Sequence, residues 1–249
     1  MPNRYLIANW KMNVPPEGIE GYLDALSSVP RSDVEIVIAP PYLYFDAVVA
    51  HSRVAHGVAG QNCSDHLSGA FTGEVSPSML RDCGAQYVIL GHSERRTLFH
   101  ETDGAIARKL ALAIETGLTP VLCVGEDLKV RDAGHVARHV AEQVKAVSCE
   151  ALESAKEVIV AYEPIWAIGT GRNASGKICA ETVAEIRHAL SRFWPARYGE
   201  GTPILYGGSV TPDNVADLVS EGNIDGFLVG GASLDSKKFL AIHHGMGTR

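Results

Sequence analysis

The chain has 249 residues, 46% of them hydrophobic, with a net charge of −7, enough material for one large core in a single α/β barrel. The acidic balance, with no basic run to reverse it, argues against nucleic acid as a partner. No apolar stretch approaches the length of a membrane span, and the opening residues lack the apolar core of a secretion signal, so a cytoplasmic protein is expected. The five cysteines (Cys63, Cys83, Cys123, Cys149, Cys179) are widely spaced and form no C-x-x-C pair, which points to free thiols in a reducing compartment rather than to zinc or disulfides.

Eight apolar runs follow one another along the chain: residues 5–9, 34–39, 57–61, 86–90, 119–124, 157–162, 202–207 and 224–229. They are nearly continuous in apolar residues rather than alternating, as strands covered on both faces are. Helix-like segments with three- and four-residue apolar spacing lie between them, clearest at 104–116, 135–147 and 179–194. No linker or composition shift marks a second domain. Eight β-then-α units in this length predict one (β/α)8 barrel domain over 1–249. A doubly wound open sheet is the rival, but it calls for a glycine fingerprint after the first strand, where this chain reads ANWKMN. In a barrel, chemistry sits where strands end and loops begin on the C-terminal face.

The first strand ends in Asn9-Trp10-Lys11. Lys11 reads either as a fixed cation for an anionic substrate or as a surface loop lysine. The fourth ends in Gly91-His92-Ser93-Glu94-Arg95, with a helix starting near Ser93. A histidine just before a helix N-terminus meets the positive end of the dipole, which disfavours imidazolium; a neutral ring can donate to a carbonyl. It also reads as a histidine packed in a polar loop, and Glu94 and Arg95 as site partners or an ordinary charged first turn. The sixth strand ends at Glu163, followed by PIWAIGTG. A carboxylate at the edge of an apolar strand is a general-base candidate, or else pairs with a cation such as Arg95. The segment behind it reads as a mobile lid with a rigid start and a glycine-rich end, or as an ordinary loop. The seventh and eighth strands end in Gly207-Gly208-Ser209 and Gly230-Gly231-Ala232. Two such turns after the last two strands suit a phosphate cradle, because backbone N–H groups can approach the dianion closely.

Two competing motifs carry less. Gly169-Thr-Gly171-Arg-Asn-Ala174 matches a dinucleotide fingerprint, yet it follows the sixth strand, not the first. His135 and His139 stand one helical turn apart, but no H-E-x-x-H frames them, and no metal is expected.

The stretches ANWKMN (8–13), GQNCSDHLSGAFTGEVS (60–76), ILGHSERR (89–96), LCVGE (122–126), AYEPIWAIGTG (161–171), YGGSV (206–210) and FLVGGASL (227–234) span the chain. Together they closely resemble the triosephosphate isomerase family, itself the standard illustration of paired acid–base tuning in a TIM barrel. The resemblance implies an aldose–ketose isomerase of glycolysis and gluconeogenesis, acting on dihydroxyacetone phosphate and D-glyceraldehyde 3-phosphate with no cofactor. It implies Glu163 as the base and a neutral His92 as the group that polarises the carbonyl. Lys11 becomes the holder of the anion with Asn9 beside it, and Gly169, Ser209, Gly230 and Gly231 become phosphate contacts. Ser93, Glu94 and Arg95 support these groups, and residues 164–174 form the closing lid. A homodimer is implied through the 63–77 loop, with Thr72 reaching the partner. The loop tip at residues 64–67, His100 and the C-terminal HHGMGTR depart from the family pattern.

Overall fold

The computed structural model describes residues 4–27, 29, 33–52, 56–168 and 174–247. Its eight strands are β1 Arg4–Asn9, β2 Val34–Ala39, β3 Gly57–Gly60, β4 Tyr87–Leu90, β5 Thr119–Val124, β6 Ile159–Tyr162, β7 Ile204–Tyr206 and β8 Gly226–Val229. Each pairs in parallel with its sequence neighbour, and β8 returns to β1, so the sheet closes into a barrel in chain order. The helices among the described residues are α1 Gly18–Ser27, α2 Phe45–Ser52, α3 Pro77–Asp82, α4 Ser93–Leu98, α5 Asp103–Glu115, α6 Leu128–Asp132, α7 Val136–Ala146, α8 Gly176–Phe193, α9 Val215–Glu221 and α10 Ser236–Gly245.

Strand side chains alternate between two apolar cores. One set, including Ile7, Val37, Ile89, Val121, Ile159 and Leu205, packs together separately from the larger cluster. The other, including Leu6, Ile38, Val88, Leu122 and Val160, packs with helix residues such as Leu23, Leu110, Val144 and Ile186. Burial on both faces is why the strands read as unbroken apolar runs.

Four strands start later than the apolar runs suggest, and the polar residues just ahead of two of them brace neighbouring backbones. Gln86 accepts the Val58 N–H at 2.7 Å, and Asp225 accepts the Ile204 N–H at 3.0 Å and pairs with Arg187 at 3.1 Å. Conversely, α8 begins three residues before the expected 179. Ser175 caps it by accepting from the Ile178 N–H, which lets Gly176 and Lys177 join the first turn.

The seam between β1 and β8 depends on Gly226. Its φ is +149°, and a Cβ there would lie 1.8 Å from the Tyr5 carbonyl oxygen. Neither the conformation nor the space admits a side chain. Gly226→Ala should therefore destabilise the barrel by about 3 kcal/mol or more, read as a lower urea midpoint or as loss of soluble protein; an unchanged midpoint would contradict this closure.

Candidate active site

The C-terminal ends of the strands surround a cavity of about 690 Å³. Its wall is built from Asn9 at the end of β1 and Lys11 beyond it, His92 after β4, Ile168 after β6, Gly207 to Asp213 after β7, and Leu228 to Ala232 around the end of β8, with Lys238 from α10. The βα loops thus bring together residues that lie more than 200 positions apart in the chain.

Lys11 sits at φ +52°, a left-handed conformation that costs a residue with a Cβ on the order of 1 kcal/mol. Two neighbours hold it there. Its N–H donates to Asn9 Oδ1 at 3.1 Å, and Gln61 Nε2 donates to its carbonyl at 2.8 Å and to that of Ala39 at 2.9 Å. The ammonium group reaches Glu94 Oε1 at 2.5 Å. It also lies against the small-residue turn after β8, where a side chain at Gly230 would meet Lys11 Cε at 3.2 Å.

His92 caps α4, and its Nδ1 accepts the Glu94 N–H at 3.2 Å. A nitrogen that accepts carries no proton, so the remaining ring hydrogen is on Nε2. That nitrogen stands 3.0 Å from Glu163 Oε1. The angle is poor, and Oε1 has no aligned donor, whereas Glu163 Oε2 accepts the Ser93 N–H at 2.8 Å. Glu163 is 2% exposed and stands behind His92 rather than on the cavity wall.

The Glu163 backbone is fixed from both sides. Its N–H donates to Val124 O at 2.8 Å, and the Gly207 N–H donates to Tyr162 O at 2.7 Å. Gly125 makes this approach possible: a Cβ there would lie 1.8 Å from Glu163 O. Cys123 on β5 is fully buried beside the same acid, and burial together with the Glu163 carboxylate pushes its thiol well above the ordinary range. It stays a neutral packed thiol.

Sequence reasoning missed a second carboxylate. Glu126 is fully buried behind the end of β5. Its Oε1 accepts from Arg131 Nε at 2.8 Å, Tyr162 OH at 3.1 Å and Trp166 Nε1 at 2.7 Å. Trp166 lies in a short 3₁₀ turn, Ile165–Ala167, straight after Glu163, with the Arg131 guanidinium 5.0 Å over its ring. The only hint in the sequence is LCVGE itself, which carries an acid just past a strand end.

The two small-residue turns are braced from behind. Asn214 donates to Ser209 O and accepts the Thr211 N–H, both at 2.9 Å. Ser233 donates to Gly230 O through its N–H at 2.8 Å and its Oγ at 2.7 Å. Ser209, Gly230 and Gly231 all line the cavity. Gly169 and the other lid residues 170–173 lie outside the described residues. Arg95 turns away from this group: it pairs with Glu101 at 3.5 Å and stacks over Phe99. Thr72 is exposed on the loop between β3 and α3. His139 is half-buried, with Nε2 3.2 Å from Gly125 O, so it braces the β5 end.

A buried acid 3.0 Å from an imidazole nitrogen, with a lysine and two small-residue turns at the same barrel mouth, suits a (β/α)8 enzyme working on a small phosphorylated substrate. A family model described as triosephosphate isomerase matches residues 4–246. Proteins named triosephosphate isomerase from Hydrogenovibrio crunogenus and Lactobacillus delbrueckii subsp. lactis are 42% and 43% identical to the chain. The alignments cover 99% of both partners in the first case, and 95% of this chain and 96% of the relative in the second. One from a Shewanella species is 43% identical over 94% of each. The chain belongs to the triosephosphate isomerase family.

Proposed function

We propose that Glu163 is the base of an isomerase whose reaction is the interconversion of dihydroxyacetone phosphate and D-glyceraldehyde 3-phosphate. The observation that carries this reading is the close approach of Glu163 Oε1 to His92 Nε2, 3.0 Å, beside a cavity that is also lined by the small-residue turns after β7 and β8. Glu163 takes a proton from the carbon next to the carbonyl, and the electron pair moves onto the carbonyl oxygen. His92 Nε2–H donates to that oxygen, and Lys11 offsets the negative charge of the enediolate. The proton of the neighbouring hydroxyl passes through the His92 ring to the former carbonyl oxygen, and Glu163 delivers its own proton to the former carbonyl carbon as the new carbonyl forms at the other oxygen. Because the carboxylate stands behind His92, it reaches the substrate by rotating off the Ser93 N–H.

Asn9, Ser209, Gly230 and Gly231 would hold the substrate, and Gly169 is assigned the same role by family likeness alone. Residues 164–174 are proposed as the lid; Ile168 on the cavity wall and the Trp166 tether to Glu126 support this. Closure would exclude water, which protects an enediol phosphate from losing its phosphate. One barrel domain over 1–249 is likewise inferred, supported by the barrel closure and the 4–246 family match.

Glu163→Gln keeps the size and hydrogen-bonding capacity of the side chain while removing the base, so kcat should fall roughly 10³-fold with KM changing only a few-fold. His92→Gln should also act mainly on kcat. A coupled assay on glyceraldehyde 3-phosphate measures both; normal turnover in Glu163→Gln would overturn the mechanism.

A homodimer is proposed through the 63–77 loop. Every large apolar side chain that is exposed among the described residues, except Leu128, falls in residues 12–14, 42–43, 67–79 or 98–99. These segments follow β1 to β4, consecutive strands of the barrel, and Tyr42 OH donates to Asn62 O to join two of the loops. Such an apolar patch calls for a protein partner, and a second copy is the one the family implies. The cytoplasm is the proposed location, supported by five free cysteines and by the lack of any membrane-spanning helix among the described residues. Light scattering at micromolar concentration should give twice the chain mass of 26.6 kDa; a monomer would count against the interface.

A further inference from the structure

The cavity wall carries a second ammonium group that the sequence pattern does not single out. Lys238 lines the cavity together with Gly230, Gly231 and Ala232. It is the third residue of α10, which follows the cradle turn after β8 almost directly. Asp235 Oδ1 accepts its backbone N–H at 3.1 Å and caps the helix, so the first turn of α10 is anchored beside the cradle. The side chain is exposed and makes no ion pair among the described residues, whereas Lys11 is held by Glu94 at 2.5 Å. The wall also bears an acid, Asp213, on a chain of net charge −7. An approaching phosphate dianion is repelled by that excess and by Asp213, and one of the two wall lysines is already engaged. Among the described residues of the wall, Lys238 is the lysine without an ion-pair partner.

We propose that Lys238 determines affinity for the phosphate: it draws the dianion into the cradle and acts on capture rather than on proton transfer. The proposal rests on the reading that the turns after β7 and β8 bind phosphate. Because the group is exposed, its pull is screened by salt, and replacing it leaves the fold intact.

The test is kcat/KM for glyceraldehyde 3-phosphate in Lys238→Gln and Lys238→Arg across ionic strength, with inorganic phosphate as a competitive inhibitor. At low salt Lys238→Gln should lose about three- to tenfold in kcat/KM, with kcat changing less than about twofold and the gap closing as salt rises. Inhibition by inorganic phosphate should weaken in parallel, Lys238→Arg should restore both, and slow turnover of unphosphorylated glyceraldehyde should not change. Equal kcat/KM and equal phosphate inhibition in Lys238→Gln and the unaltered protein at the lowest salt would overturn the role of Lys238 alone. An equal loss on glyceraldehyde would overturn it too, by exposing a structural effect. If inorganic phosphate fails to inhibit even the unaltered protein, the cradle reading fails and this proposal falls with it.

Discussion

The first turn of α4 sets the geometry on which the site depends. A helix start leaves backbone N–H groups without partners inside the helix, and here two of them are spent on the candidate chemistry. The Ser93 N–H holds Glu163 Oε2, and the Glu94 N–H holds His92 Nδ1. One rigid peptide segment therefore orients an acid from β6 and an imidazole from β4. The bond to Nδ1 also selects the tautomer: with that nitrogen accepting, the neutral ring carries its hydrogen on Nε2, the nitrogen 3.0 Å from Glu163 Oε1. An imidazolium would have to break that bond and leave a helix N–H unpaired.

The barrel makes this possible by closing tightly behind the site. Gly125 lets the backbones after β5 and β6 touch, Gly226 lets β8 meet β1, and Glu126 ties the ends of β5 and β6 to Trp166 at the start of the proposed lid. The proposed base and lid are neighbours in sequence, but they are anchored differently: Glu163 to the α4 turn, Trp166 to a buried carboxylate on another loop. That separation allows the lid's start to be held while the carboxylate rotates, which the proposed mechanism requires.

Much of this was legible in the chain because it lies at strand ends. The eight apolar runs betray a barrel with both faces covered, and the residues just beyond them, Lys11, His92, Glu163, Ser209 and Gly230, are the ones around the cavity or directly behind it. What was hidden involves partners supplied by other segments. Gln61 and Glu126 are ordinary loop residues until folding brings them to the Lys11 carbonyl and the Trp166 indole. Arg95 was a reasonable partner for Glu163 by its place at a strand end, yet the α4 turn points it to Glu101. Lys238 sits in a helix whose pattern says only that one face is buried. The strand boundaries slipped at leading polar residues such as Gln86 and Asp225, whose side chains brace neighbouring backbones.

The central claim is that the α4 turn fixes His92 as a neutral Nε2–H donor. Nitrogen NMR of imidazole-labelled protein at neutral pH tests it most directly, with the His92 signals identified by their loss in His92→Gln. The account predicts one protonated nitrogen, assigned to Nε2, and an unprotonated, hydrogen-bonded Nδ1. A ring protonated at Nδ1, or at both nitrogens, would contradict it.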